Sequence, residues 1–115
     1  MDIKDIQWAG RQLWAPDAAF KNDTYYLYFP VKDKNDIFRI GVATSASPSG
    51  PFKAEATPIQ GSFSIDPAVF KDDNGNHYMY FGGIWGDNCK DGRQAVMIQQ
   101  PPRNLLKMKH SALKW

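Results

Sequence analysis

Two aspartates stand where a carboxylate can do chemistry. Asp17 follows Trp14-Ala15-Pro16, and Asp66 sits in Ser64-Ile65-Asp66-Pro67. Each lies at or just before a short apolar run that reads as a strand, Ala18-Ala19-Phe20 and Ala68-Val69-Phe70. A carboxylate at a strand mouth can face a cleft and serve as acid, base or electrostatic tuner. A neighbouring carboxylate raises its pKa and a partner cation lowers it. The plainer alternative is that each aspartate caps a turn or bonds loop amides. Pro67 has no N–H and disfavours helical geometry in the residue before it, so Asp66 is expected in extended backbone. The run Asp72-Asp73-Asn74-Gly75-Asn76 has a faint calcium-loop look. It lacks the Gly after a third ligand and the later Glu, and a hairpin turn explains it better. His77 and His110 have no ligand spacing, so no metal is assigned. There is no Gly-rich phosphate loop, nucleophile elbow or Cys/His motif.

The elements that must position these residues are strands. Ser64 to Gly83 reads as strand, tight turn, strand, with Asn74-Gly75 as the pair that two-residue type I′ hairpins favour. This stretch has an echo upstream: AAFK (18–21) lies over AVFK (68–71), and YYLYF (25–29) over HYMYF (77–81). Phe20 and Phe70 are 50 residues apart and Phe29 and Phe81 are 52 apart, which puts two extra residues in the second hairpin. A period near 50 built on a strand pair points to propeller blades or another stacked β repeat. Strands are expected at 17–20, 25–31, 37–44 and 52–56, the four that a blade carries, and again at 68–70, 77–81 and 94–99. Tyr25, Leu27 and Phe29 alternate with Tyr26, Tyr28 and Pro30, so the second strand is apolar on both faces and should be covered on both sides. The segments are then 1–13, a remnant of a preceding blade; 14–58, a blade; 59–100, a second, incomplete blade; and 101–115, a divergent basic tail read as a frayed or short helical end. Trp14, Phe63 and Trp85, near the strand mouths, could stack on sugar faces or simply pack.

Composition narrows the classes. At 115 residues the chain is too short for a whole propeller, which needs roughly 200 residues or more, so it reads as a fragment or as blades that survive by association. A formal charge of +2 gives no nucleic-acid footprint. The single cysteine, Cys89, excludes an internal disulfide framework. No segment approaches the roughly 18 apolar residues that cross a membrane. Met1–Gly10 lacks the basic start and apolar core of a secretory signal, and localisation is not read from it.

With these residues in hand, the chain resembles glycoside hydrolase family 43, five-bladed β-propellers that include β-xylosidases, α-arabinofuranosidases, arabinanases and some xylanases. Three motifs carry the resemblance: Trp14-Ala15-Pro16-Asp17 with AAF and YYLYF; Ser45 to Phe52 (SASPSGPF); and Ser64-Ile65-Asp66-Pro67 with AVF and YMYFGG. Together they span Leu13 to Gly86 and look like the second blade and much of the third. The resemblance implies inverting hydrolysis of glycosyl bonds in xylan- or arabinan-type saccharides by three carboxylates: a base on the first blade, a pKa-tuning aspartate on the third and a glutamic acid on the fourth. Asp66 matches the tuning aspartate. Trp14 would form a sugar-facing wall, with Asp17 and Trp85 as further substrate-side positions. No cofactor is implied for this segment, and the structural calcium of full-length relatives finds no support in its residues. A periplasmic or secreted parent stays open.

The departures matter as much. No first-blade aspartate motif is present beyond Asp2 and Asp5, and Glu55, the only glutamate, lacks the acid's context. The isolated chain is therefore expected to be inactive. Its partners are expected to be an oligo- or polysaccharide and, through exposed blade edges, further copies of itself, with no nucleic acid or membrane. Two other readings stand beside this one: a non-catalytic carbohydrate-binding β module using Trp14 and Trp85, and a kelch-like protein-interaction repeat.

Overall fold

The structure, a computed structural model, describes residues 1–73 and 75–82 and the backbone of 105–108. The first sheet contains Ala9–Arg11 (β1), Asp17–Lys21 (β2), Thr24–Asp33 (β3), Phe38–Ser45 (β4) and Lys53–Ala54 (β5). The second contains Ala68–Lys71 (β6), His77–Tyr80 (β7) and Leu105–Met108 (β8). All pairings are antiparallel. β2 to β5 supply the four strands expected of the first blade. β8 departs from expectation: Leu105–Met108 pairs with β7 instead of forming a frayed or helical end. Its short local pattern carries little signal, and the partner strand decides its conformation. The strand expected at 94–99 and Trp85 lie outside the described residues.

The two hairpins differ in a way that matters for packing. Asn22 and Asp23 link β2 to β3 with φ of +52° and +57°, the paired left-handed geometry of a type I′ turn, which Asn and Asp tolerate. The second hairpin is not the two-residue turn read at Asn74-Gly75. Five residues separate β6 from β7 where two separate β2 from β3, so it is three residues longer. Asp72 N–H donates to the Asn76 carbonyl (2.9 Å), Gly75 N–H donates to the Asp72 carbonyl (3.1 Å), and Gly75 takes φ +79°. This is one residue more than the sequence echo suggested. Ala19 pairs with Tyr26 but Val69 pairs with Met79, so Met79, not Tyr78, takes the place of Tyr26. Because side chains alternate between faces, the offset inverts the aligned run: Tyr26 and Tyr28 are buried while Tyr80 is 47% exposed.

β3 is covered on both sides, as its two apolar faces require. On one face Tyr26 and Tyr28, with Ile40 and Val42 of β4, pack against Ile59, Phe63, Met79 and Phe81. That core joins the two sheets, and the Phe63 and Phe81 rings meet edge to face at 4.7 Å. On the other face Phe29, Val31 and Ala43 pack with Ile6, Trp8 and Leu13. Residues 1–13, read as a remnant of a preceding blade, thus send β1 into the first sheet beside the end of β3. Asp2 and Asp5 form a capping box around the 3-10 turn Ile3–Asp5. Arg11 reaches Asp36 in the β3–β4 turn with two bonds of 2.7 and 2.9 Å.

Trp8 lies parallel to Phe29 and donates its ring N–H to the Glu55 carbonyl (3.3 Å). Gly41 makes this stack possible. A Cβ there would stand 2.5 Å from the Phe29 ring and 2.7 Å from Trp8. Gly41→Ala should therefore lower stability by about 1–3 kcal/mol through overpacking, read as a lower urea midpoint at an unchanged slope.

Candidate functional site

The connection from Ile59 to Pro67 carries the site, and it is fastened residue by residue. Ile59 N–H donates to the Ile40 carbonyl (2.8 Å), and Ser64 N–H donates to the Phe38 carbonyl (3.2 Å). Buried Ser62 accepts from Ile40 N–H through Oγ (3.1 Å), and its single hydroxyl proton lies within reach of the Ile59 carbonyl of its own turn and the Ile40 carbonyl of β4. The connection therefore extends the edge of β4 and delivers residues 65–67 to the start of β6.

Asp66 does not adopt the extended backbone that Pro67 favours. Its φ is +55°, and Ser64, two residues earlier, has φ +68°. Asp tolerates the left-handed region better than most residues, but a following proline opposes compact backbone, so the surroundings must impose the conformation. Hydrogen bonds flank it on both sides. Gly82 N–H donates to the Ile65 carbonyl at 2.6 Å, and Val69 N–H donates to Asp17 Oδ2 at 2.7 Å. Pro67 is buried between these anchors, while Asp66 itself is exposed. A Cβ on Gly82 would meet the Ile65 carbonyl oxygen at 3.1 Å, which gives that glycine a reason the sequence reading missed. Its signal was the Gly-Gly pair directly after the strand.

Asp17 opens β2, half-buried, and its carboxylate binds the β6 backbone 52 residues away. It stands opposite Tyr28, whose hydroxyl is buried without a hydrogen-bond partner among the described residues. Burial, then Tyr26 and Asp17, push the Tyr28 hydroxyl pKa up. Trp14 is 42% exposed; its backbone N–H donates to the Pro30 carbonyl (3.0 Å) and its ring rests on Phe38 at 4.6 Å. Phe38 thus touches Trp14 through its ring and holds Ser64 through its carbonyl. Sequence reasoning missed it because nothing in the local pattern distinguishes it from a core residue.

Other positions named from the sequence go elsewhere. Phe63 is 1% exposed, which leaves no face for a sugar ring. Glu55 lies on the outer edge of the first sheet, its N–H donating to the Val42 carbonyl (2.9 Å). The carboxylates of Asp2 and Asp5 are engaged in the N-terminal cap. The Asp72 carboxylate accepts from Asn76 N–H within the hairpin (3.0 Å), and among the described residues no three His, Cys, Asp or Glu side chains gather to hold a metal ion.

A sequence model of the glycosyl hydrolases family 43 matches residues 2–114. The chain belongs to family 43. It is 63% identical over 86 residues to xylosidase/arabinosidase 43A of Humicola insolens, covering 75% of this chain and 26% of that protein. It is 62% identical over 99 residues to a xylosidase/arabinosidase of Bacteroides ovatus, covering 86% of this chain and 30% of that protein. Among solved family 43 structures, it is similar to a β-xylosidase/α-arabinofuranosidase from a compost microbial metagenome in complex with xylotriose. The TM-score is 0.80 at 55% identity, over 97% of this chain and 38% of that one. The chain thus spans under a third of the length of these two curated relatives. Its antiparallel sheets are propeller blades of the family 43 type.

The left-handed backbone at Asp66 yields a test. Glycine carries no such penalty, so Asp66→Gly should raise stability by about 1 kcal/mol in urea unfolding. A loss of stability would show that the Asp66 side chain itself holds the fold.

Proposed function

We propose that this chain is the segment of a family 43 glycosidase that carries the charge-tuning carboxylate. The whole enzyme hydrolyses xylosyl or arabinosyl bonds in plant-type saccharides with inversion. The observation that carries this reading is Asp66: an exposed carboxylate just before the edge strand β6, in costly backbone geometry with hydrogen-bonded anchors on both sides. The names of the relatives supply the substrate class.

Inversion needs an acid and a base about 6.5–9.5 Å apart, with room between them for the attacking water. Asp66 is neither. Its negative charge favours the protonated form of a neighbouring glutamic acid and so keeps a proton available for the leaving oxygen. Exposed Trp14, braced on Phe38, offers a flat wall for a sugar ring, and Trp85 is a second such position by its motif. The acid and base come from blades flanking this segment.

Two outcomes follow. The purified 115-residue chain should show no enzyme-dependent hydrolysis of aryl xylosides or arabinofuranosides. Expressed together with flanking family 43 blades, the segment should yield an active enzyme in which Asp66→Asn lowers kcat by about 10²-fold or more. Hydrolysis by the chain alone, or an indifferent Asp66→Asn, would sink the reading.

The chain on its own also has reason to associate. Phe20 tilted against Tyr25, and Phe70 stacked on Tyr78 and Tyr80, are apolar clusters on outward blade faces, with Phe20 57% and Phe70 42% exposed. Light scattering should give a mass above that of one chain, and Phe20→Ser with Phe70→Ser should lower it. A monodisperse wild-type monomer would count against association.

A further inference from the structure

We propose that Asp17 is a positioning residue for Asp66, acting through the Val69 amide and not by touching substrate. The proposal rests on the role given to Asp66 above. Its grounds are geometric. Val69 lies opposite Met79 on β7, yet its N–H turns away from that strand and donates to Asp17 Oδ2 at 2.7 Å. One amide on the edge of β6 away from β7 is therefore satisfied by a carboxylate from the first sheet.

The place of this bond along the chain is the telling feature. Asp66 has φ +55°, the next residue is a buried proline with no amide to offer, and Val69 comes three residues after Asp66. On the other side the Ile65 carbonyl is held by Gly82 N–H at 2.6 Å. The unfavourable turn at Asp66 is thus clamped between one bond just before it and one just after. If the Asp17 bond is removed, Ile65 stays anchored while the start of β6 can slide, so the backbone at Asp66 relaxes towards the extended form that Pro67 prefers. A carboxylate suits the task because a charged acceptor makes a shorter and stronger bond to an amide than a neutral one. Tyr28, opposite Asp17 and fully buried, walls this contact from one side.

The test is nuclear magnetic resonance of the isotopically labelled 115-residue chain. Asp17→Ala should move the Val69 amide proton upfield and speed its exchange roughly tenfold. It should also take the Asp66 Cα and Cβ shifts out of left-handed values, while Phe29 and Ile40 keep theirs. Asp17→Asn, which retains an oxygen acceptor of the same reach, should restore the Asp66 shifts. Left-handed Asp66 shifts that persist in Asp17→Ala, beside a changed Val69 signal, would reduce Asp17 to a tie between strands and overturn the proposal.

Should Asp17→Ala fail to fold, a second measurement decides. In Asp17→Glu, which keeps the charge but moves the carboxylate out by one methylene, the Val69 amide and the Asp66 Cα and Cβ shifts should move together. Unmoved Asp66 shifts beside a moved Val69 amide would overturn the proposal. Neither readout involves hydrolysis. A failed activity assay with coupling present would count against the glycosidase reading, and absent coupling with an intact assay would count against Asp17 alone.

Discussion

A strand that is apolar on both faces cannot sit at the surface of a sheet, and β3 is such a strand. Tyr28 and Val31 are fully buried and Phe29 nearly so, on alternating faces. Covering one face recruits residues 1–13, with Ile6 and Trp8 at their centre. Covering the other recruits the second sheet through Met79 and Phe81, and with it the connection through Ile59 and Phe63. The tight connection that delivers Asp66 is thus a by-product of burying β3. Hydrophobic burial sets the gross arrangement, and a few backbone hydrogen bonds set the last ångström at the site.

Much of this was legible in the sequence. Alternating aromatic residues marked β3 and β7, Asn22-Asp23 marked a turn, and the doubled apolar pattern of β3 foretold a covered strand. The motifs around Trp14 and Asp66 were enough to suggest the family. What stayed hidden depended on partners distant in sequence. The conformation of Asp66 is imposed by Phe38, Gly82 and Asp17, lying 28, 16 and 49 residues away. Local rules for a residue before proline gave the opposite answer.

The hairpin phase is a second lesson of the same kind. Aligning residue types placed Tyr78 where Tyr26 stands, whereas the ladder places Met79 there. One residue inside a turn decides which half of a repeated aromatic run is buried, and composition cannot register that. The strand Leu105–Met108 was missed for a related reason: its conformation comes from pairing with β7 and is not advertised by its own residues.

The two outward aromatic faces carry one more consequence. They occupy equivalent positions of the repeat, since Phe20 pairs with Tyr25 as Phe70 pairs with Tyr78, but only the first shares its sheet face with packed residues from 1–13. A stack with unlike ends has polarity. Contacts that join one end to the other repeat head to tail without a two-fold axis to stop them, and such growth ends only when the blades curve into a closed ring. Within a complete propeller that polarity orders the blades. In a shorter chain it makes solubility depend on ring closure.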